Sequence, residues 1–148
     1  MTVPRMQFAE VFPEGFRAVL GLEKAAAASG LEQSLITLVK LRASQLNGCA
    51  YCLDMHHREA REAGESTART DVLGAWREID DRFTAREQAA LAFTEQVTLI
   101  SDGGVSDGVW DAVRAQFTDS EIGALLTVVS AINTWNRIAV STHQQPES

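Results

Sequence analysis

The sequence predicts an all-α fold, a single domain over residues 1–148 built as a helical bundle of about seven helices. Three observations lead to this prediction. Apolar residues recur every three or four positions through most of the chain, which is the period of an amphipathic helix. Capping residues and glycines stand where these periodic stretches begin and end. No stretch alternates apolar and polar residues as a half-buried strand does, and the length suffices for one hydrophobic core.

The first half of the chain is expected to hold an N-terminal arm followed by three helices. The arm, residues 1–12, is more apolar than a free tail, so we expect it to pack on the body or on a neighbouring subunit. Pro13 suits the first turn of a helix that runs to Ser29-Gly30. A second helix is expected from about Glu32 to Leu46, and a third from Cys49 to Ala63.

The second half is expected to hold four helices, after a turn that follows the third. Two of them begin with the capping-box spacing of threonine and glutamate. The last is the most apolar stretch of the chain but too short to span a bilayer, so we expect it to be buried in the core or at a subunit contact. In order, the predicted elements are a short helix around Val72–Glu78, a helix opening at Thr84-Ala85-Arg86-Glu87, a helix capped by Ser106 or Asp107, and the helix of Ile122–Ile138 after Thr118-Asp119-Ser120-Glu121.

The composition is acidic, with a net charge of −7. This charge disfavours nucleic acid and anionic membrane surfaces as partners, because both carry charge of the same sign. No apolar run approaches the roughly 20 residues that a bilayer-spanning helix needs. The opening residues lack the apolar segment of a secretory signal. We therefore expect a cytoplasmic protein without nucleic-acid or membrane partners.

The segment Asn47–His57 contains both cysteines of the chain and two of its three histidines. In a chain large enough to fold without disulfide staples, a CxxC pair indicates redox or metal chemistry. Asn47-Gly48 supplies the break before a new helix, since both residues tolerate the left-handed conformation. In a helix that starts at Cys49, Cys52 lies about 60° and His56 about 20° from Cys49 around the axis. The three side chains are therefore expected to form one narrow stripe.

This stripe suits thiol chemistry, because the thiolate is the nucleophile and an ordinary cysteine is mostly protonated at neutral pH. The helix dipole favours Cys49 as the attacking sulfur, since it lies nearest the N-terminus. A neighbouring base favours Cys52, four residues before His56. The alternative is that both cysteines are small, inert core residues. His57 is expected to be peripheral or to line the pocket, and His143 to have no special role.

The run Leu38–His56 resembles the core of the alkylhydroperoxidase D-like proteins of the carboxymuconolactone decarboxylase superfamily. It is similar in the helix before the cysteines, the Asn-Gly break, the CxxC pair and the histidine at fixed spacing. Ala131–Ile138 is similar to the closing helix of the peroxidase-related branch, so the resemblance covers nearly the whole chain. Within that helix, Trp135-Asn136-Arg137 could form a ligand-binding patch. A buried aromatic with a satisfied polar neighbour is the expected role.

The resemblance implies a thiol-dependent peroxidase, a disulfide oxidoreductase that reduces hydrogen or organic hydroperoxides. It implies that Cys52 reacts with the peroxide and becomes a sulfenic acid, and that Cys49 condenses with it to a disulfide. His56 is then the proton-transfer residue. No bound metal or other cofactor is expected, and an external dithiol of lipoyl or thioredoxin type is expected to reduce the disulfide again. Relatives form homo-oligomers, so a dimer, trimer or hexamer is expected.

One position departs from the family pattern. Alkylhydroperoxidase D-like proteins usually carry a glutamate twelve residues before the first cysteine, where it relays protons with the histidine and a water. Thr37 stands there instead, and its hydroxyl can hold a water but is no carboxylate base near neutral pH. Glu32 is about 140° around the helix from that position and cannot simply replace the carboxylate. As the candidate relay position, Thr37 therefore predicts modest peroxidase turnover.

Three other functions fit parts of the sequence. Cys49, Cys52 and His56 could supply three zinc ligands, although structural zinc sites normally have four and no nearby Cys/His pair supplies the rest. A decarboxylase of the same superfamily would need cationic groups around a substrate carboxylate, for which Arg42 and Arg137 are candidates. A non-catalytic oligomeric binding module is the third.

Overall fold

Helices make up the regular structure of residues 3–147, the range that the computed structural model describes. The all-α prediction is therefore confirmed. Within that range six helices have ten residues or more, two are single turns and one segment is a 3₁₀ helix; the two single turns account for the difference from the predicted seven. In chain order they are α1 (Phe8–Val11), α2 (Pro13–Ala27), α3 (Gln33–Leu46), α4 (Ala50–Glu62), α5 (Thr67–Thr70), the 3₁₀ helix (Leu73–Glu78), α6 (Ala85–Thr98), α7 (Asp107–Gln116) and α8 (Asp119–Thr142).

Side-chain caps begin the later helices where the sequence predicts them. Thr84 and Thr118 each accept a hydrogen bond from the backbone N–H of the glutamate three residues on, and that glutamate accepts one from the threonine N–H. Both predicted capping boxes are thus formed. Ser106, and not Asp107, caps α7 through its hydroxyl oxygen.

Three elements differ in detail from the prediction. Helix α8 continues past Ile138 to Thr142, because no glycine or proline stops it before His143 adopts the left-handed conformation at φ 62°. The expected turn after α4 contains the single-turn helix α5. The short helix that follows is of 3₁₀ type, with a break in its helical backbone angles.

Helices α3 and α8 form the centre of the fold, with α3 packed against α4, α6 and α8, and α8 also packed against α2. Val39, Phe93 and Val129 are among the fully buried side chains that join α3, α6 and α8. Neither α8 nor any other helix in the described residues is both long enough and apolar enough to cross a membrane. A separate cluster connects the cysteines to α8 through Ala43, Cys49, Cys52, Ile132 and Ala139.

The N-terminal arm lies against the C-terminal end of α8. The Arg5 N–H donates to the Thr142 carbonyl at 2.7 Å, and the Arg5 guanidinium donates to the Ser141 carbonyl at 3.2 Å. The arm therefore contacts the body of its own chain. Residues 1 and 2 of the predicted arm, and Ser148 at the end of the predicted domain, lie outside the described residues.

Candidate functional site

Helix α4 begins one residue later than the sequence predicts, so Cys49 is its N-cap. Gly48 adopts φ 63°, a left-handed conformation that glycine tolerates without strain, and turns the chain from α3 toward α4. The Cys49 backbone is extended, and its Sγ accepts a hydrogen bond from the Cys52 N–H at 3.4 Å. The Cys49 sulfur therefore lies at the positive end of the α4 dipole.

The two cysteines line different cavities. Both are free thiols, and each residue is 1% exposed. Cys52 lines a cavity of about 440 Å³ together with His56, whereas Cys49 lines a smaller one of about 150 Å³. The predicted stripe of three side chains is thus divided, because Cys49 precedes the helix and only Cys52 and His56 belong to it.

The larger cavity is mostly apolar and has the volume of a small-molecule site. Its walls come from the first four helices, from α8 and from the residue Gln144 that follows it. The apolar side chains in the wall are Phe8, Phe16, Leu20, Met55, Trp135 and Ile138. The charged ones are Glu23, Lys40 and Glu59.

The electrostatic environment favours the thiolate form of Cys49 over that of Cys52 in the reduced protein. The Cys52 thiol donates a hydrogen bond to the Cys49 sulfur, and this contact, with smaller help from the Cys52 N–H and the Asn136 amide, lowers the pKa of Cys49 to about 7 despite its burial. The same contact and burial raise the pKa of Cys52. The pair therefore loses its first proton near neutral pH and retains the second on Cys52.

Asn136 of α8 anchors the end of the site that carries the cysteines. It is fully buried, its Nδ2 donates to Ser44 Oγ at 3.0 Å, and its Oδ1 accepts from Asn47 Nδ2 at 2.9 Å. The Asn47 amide also donates to Asn133 Oδ1 at 3.0 Å. This network joins the end of α3 to α8 and holds the Asn136 amide beside both sulfurs. Its neighbour Trp135, expected to be buried, is half-buried in the cavity wall.

A carboxylate from the same helix holds His56. His56 Nδ1 lies 2.9 Å from Glu59 Oε2, and this hydrogen bond lowers the pKa of Glu59. An ionised Glu59 accepts from Nδ1–H and so selects the tautomer in which Nε2 is free to accept a proton. Glu59 stands in a charged block typical of a solvated face, so its role was missed from the sequence. Its spacing of three residues from His56 is the signal that could have found it.

A salt bridge forms another part of the cavity wall. Lys40 of α3 pairs with Glu23 of α2, and their side chains are 10% and 26% exposed. Both residues line the larger cavity. They are 17 positions apart on different helices, so no local pattern in the sequence identifies them as a pair.

Thr37 does not line either cavity. It is buried, and its hydroxyl donates to the Gln33 carbonyl of its own helix at 2.9 Å. His57 also lines neither cavity, and burial followed by the charge of Arg61 lowers its pKa. His143, by contrast, lines the smaller cavity together with Cys49.

The geometry does not support the decarboxylase alternative or the zinc-binding alternative. Arg42 is bonded to Glu95 at 2.8 Å, and exposed Arg137 is bonded to Asn133 on its own helix, so neither guanidinium lines the cavity of Cys52. A decarboxylase would therefore lack its candidate cations at this site. Across residues 3–147, no three His, Cys, Asp or Glu side chains are grouped so that they could hold a metal ion.

Comparisons with known proteins extend over nearly the whole chain. The sequence profile of the carboxymuconolactone decarboxylase family matches residues 13–96. The uncharacterized protein YdfG of Bacillus subtilis (strain 168) is 36% identical over 137 residues, which are 93% of this chain and 92% of YdfG.

Two solved structures share the fold. ATU0492 from Agrobacterium tumefaciens, a protein of unknown function provisionally described as the antioxidant defence protein AhpD, is 42% identical and superposes with a TM-score of 0.94 over 99% of both chains. An uncharacterized peroxidase-related protein from Ralstonia eutropha JMP134, described as an alkylhydroperoxidase AhpD core, is 22% identical. It superposes with a TM-score of 0.81 over 95% of this chain and 74% of its own, which shows a common fold.

Proposed function

The chain belongs to the carboxymuconolactone decarboxylase family, as its cysteine motif predicts, and from this premise we propose that it is a thiol-dependent peroxidase. It reduces hydrogen or organic hydroperoxides through a dithiol–disulfide cycle of Cys49 and Cys52. One observation carries the proposal: two free thiols lie together at a helix start, and the residue that carries one of them lines a cavity of ligand size beside His56. The antioxidant description of the Agrobacterium relative agrees with it.

Cys52 is the attacking sulfur, because it lines the cavity that can admit an organic peroxide. His56 Nε2 takes the proton of the Cys52 thiol as the Cys52 sulfur attacks the terminal peroxide oxygen. The O–O bond breaks, Cys52 becomes a sulfenic acid, and the proton on His56 passes to the leaving alkoxide or hydroxide. The products of this step are the sulfenic acid and an alcohol or water.

Cys49 completes the oxidation. Its thiolate attacks the sulfenic sulfur of Cys52, the S–S bond forms, and hydroxide leaves and is protonated to water. Cys49 suits this role because it carries the thiolate of the reduced pair, and the Cys52 N–H and the Asn136 amide still favour its ionised form at this stage. The two thiols have then lost two electrons to the peroxide.

An external dithiol of lipoyl or thioredoxin type returns the disulfide to the thiols. Its thiolate attacks Cys52, and Cys49 leaves, because the Cys52 N–H and the Asn136 amide stabilise the departing Cys49 thiolate. A second thiolate of the reductant then releases Cys52. We also propose that the protein works as a homo-oligomer, a dimer, trimer or hexamer.

The test is mass spectrometry of the intact reduced protein after one equivalent of hydrogen peroxide. The proposal expects a loss of two hydrogens, confined to the peptide that holds both cysteines. A protein whose thiols remain reduced under these conditions is not a peroxidase of this kind.

Glu59 is expected to be a positioning residue for His56. In Glu59→Gln the carboxylate that selects the Nδ1–H tautomer is lost, so kcat should fall by about tenfold while KM stays nearly unchanged. Steady-state hydroperoxide consumption measures both constants. Glu59→Asp should retain more activity than Glu59→Gln, and Glu62→Gln, an exposed change on the same helix, should have no effect. Equal activity of Glu59→Gln and wild type contradicts the assignment.

A further inference from the structure

The larger cavity combines an apolar wall with one charged region. Phe16 and Trp135 meet edge to face, with 5.6 Å between ring centroids, and Leu20 and Ile138 extend the same wall. Burial of apolar surface is the main source of affinity in cavities of this size. A ligand that fills this one must therefore carry an apolar body.

The charged region has an excess of negative charge. Lys40 and Glu23 form a salt bridge, and Glu59 adds a carboxylate that His56 keeps ionised. Two carboxylates against one ammonium leave one net negative charge when the imidazole is neutral. Charges in a site partly removed from water interact more strongly than charges on an open surface. A ligand carboxylate in this region is therefore repelled.

Glu23 also offers an acceptor that the protein leaves unused. Its Oε1 accepts from the Lys40 ammonium, whereas its Oε2 is shielded from solvent and accepts from no described residue. Among the buried side-chain nitrogens and oxygens of residues 3–147, Oε2 is the one without a protein partner. Glu23 lines the cavity and its side chain is 26% exposed, so a bound molecule can approach this carboxylate. Because a buried acceptor without a donor is unfavourable, an N–H or O–H group of that molecule is stabilised at the carboxylate.

We propose that Glu23, Lys40 and Glu59 together make the cavity selective for uncharged organic hydroperoxides that carry a hydrogen-bond donor besides the hydroperoxide O–H, and exclude those that carry a carboxylate. The donor binds the Glu23 carboxylate, and the apolar body of the molecule contacts the aromatic and aliphatic wall. Only one part of this inference rests on the proposed function, namely that the ligand is a hydroperoxide. The selectivity for charge and for a donor is a property of the cavity.

Calorimetric titration of the reduced protein with three matched compounds tests the selectivity without any turnover. 4-Isopropylbenzamide is uncharged and donates, its methyl ester analogue methyl 4-isopropylbenzoate is uncharged and does not donate, and 4-isopropylbenzoate is charged. All three have the same apolar body. The amide should bind most tightly, the ester less tightly, and the carboxylate at least about tenfold more weakly than the amide.

Two variants should change the affinity gap between the amide and the carboxylate in opposite directions. Glu23→Gln removes a negative charge and should bring the carboxylate to within about threefold of the amide, whereas Lys40→Gln removes the positive charge and should widen the gap. A general loss of packing would instead weaken all three ligands together. Glu14→Gln makes the same charge change at an exposed position of the same helix, and should leave all three affinities unchanged.

Three results overturn the inference: wild type binds the carboxylate as tightly as the amide, wild type binds none of the compounds, or Glu23→Gln leaves the affinity gap between the amide and the carboxylate unchanged. Disulfide formation with hydrogen peroxide is measured on the same preparation, because hydrogen peroxide has no organic body to select. If the protein forms the disulfide but does not rank the ligands as expected, the selectivity is contradicted and the peroxidase function is not. If the protein ranks the ligands as expected but forms no disulfide, the selective cavity is supported and the peroxidase function is contradicted.

Discussion

Cys52→Ser should abolish peroxide turnover. The substitution removes the sulfur that lines the larger cavity, and neither Cys49 nor a serine hydroxyl can replace it there. Because the first step then has no nucleophile, consumption of a hydroperoxide in the presence of a dithiol should fall by about three orders of magnitude or more. The measurement is the steady-state rate under saturating reductant, compared with the rate of the same mixture without protein.

Cys49→Ser is the matched control, because it removes the neighbouring sulfur from the same buried helix start. This variant should still react once with hydrogen peroxide and accumulate a sulfenic acid on Cys52, which dimedone traps for mass spectrometry. The reverse pattern, with a sulfenic acid trapped on Cys49 of Cys52→Ser, would assign the attack to Cys49. The position of Cys49 at the helix start and its low pKa would then outweigh the access that the cavity gives to Cys52.

Asn136→Ala should cost about 2–4 kcal/mol of unfolding free energy. The change leaves the Asn47 amide and the Ser44 hydroxyl without their buried partner and opens a void between α3 and α8. Urea denaturation measures the loss. Thr127→Ala, at a half-buried position of the same helix, removes a hydroxyl that donates to the Gly123 carbonyl, and it should cost much less. Comparable losses in the two variants would contradict a special role for the network.

The same substitution should raise the pKa of Cys49 above about 7, because the Asn136 amide helps to lower it in the wild-type protein. The pH dependence of alkylation on the folded protein reports this change, since only the thiolate reacts. At neutral pH the variant should therefore alkylate more slowly than wild type. Unchanged alkylation would show that the contacts with Cys52 set the pKa of Cys49 without a contribution from Asn136.

The features that the sequence predicts correctly depend on neighbours within one turn. The capping boxes at Thr84 and Thr118 need only a threonine and the glutamate three residues on, and both form. The break at Gly48 is equally local, and it brings Cys52 and His56 onto one helix at the wall of one cavity. Such signals survive folding because tertiary contacts do not have to create them.

The features that the sequence does not reveal depend on geometry between elements or on a shift of one residue. Helix α4 starts after Cys49 rather than at it, and the two cysteines line separate cavities. Glu23 and Lys40 come together only when α2 packs beside α3. Glu59 had a local signal in its spacing from His56, but the charges around it suggested solvent exposure. The cavity itself has no sequence pattern, because segments distant in sequence build its wall.

Both ends of the described chain contribute to that wall. Phe8 comes from one end and Gln144 from the other, and the hydrogen bond from Arg5 to Thr142 ties the two ends together. Any extra polypeptide fused there, such as an affinity tag, would start within a few residues of the cavity wall. The untagged chain is therefore the proper reference for every rate and affinity, and an inactive tagged preparation would be no evidence against the chemistry.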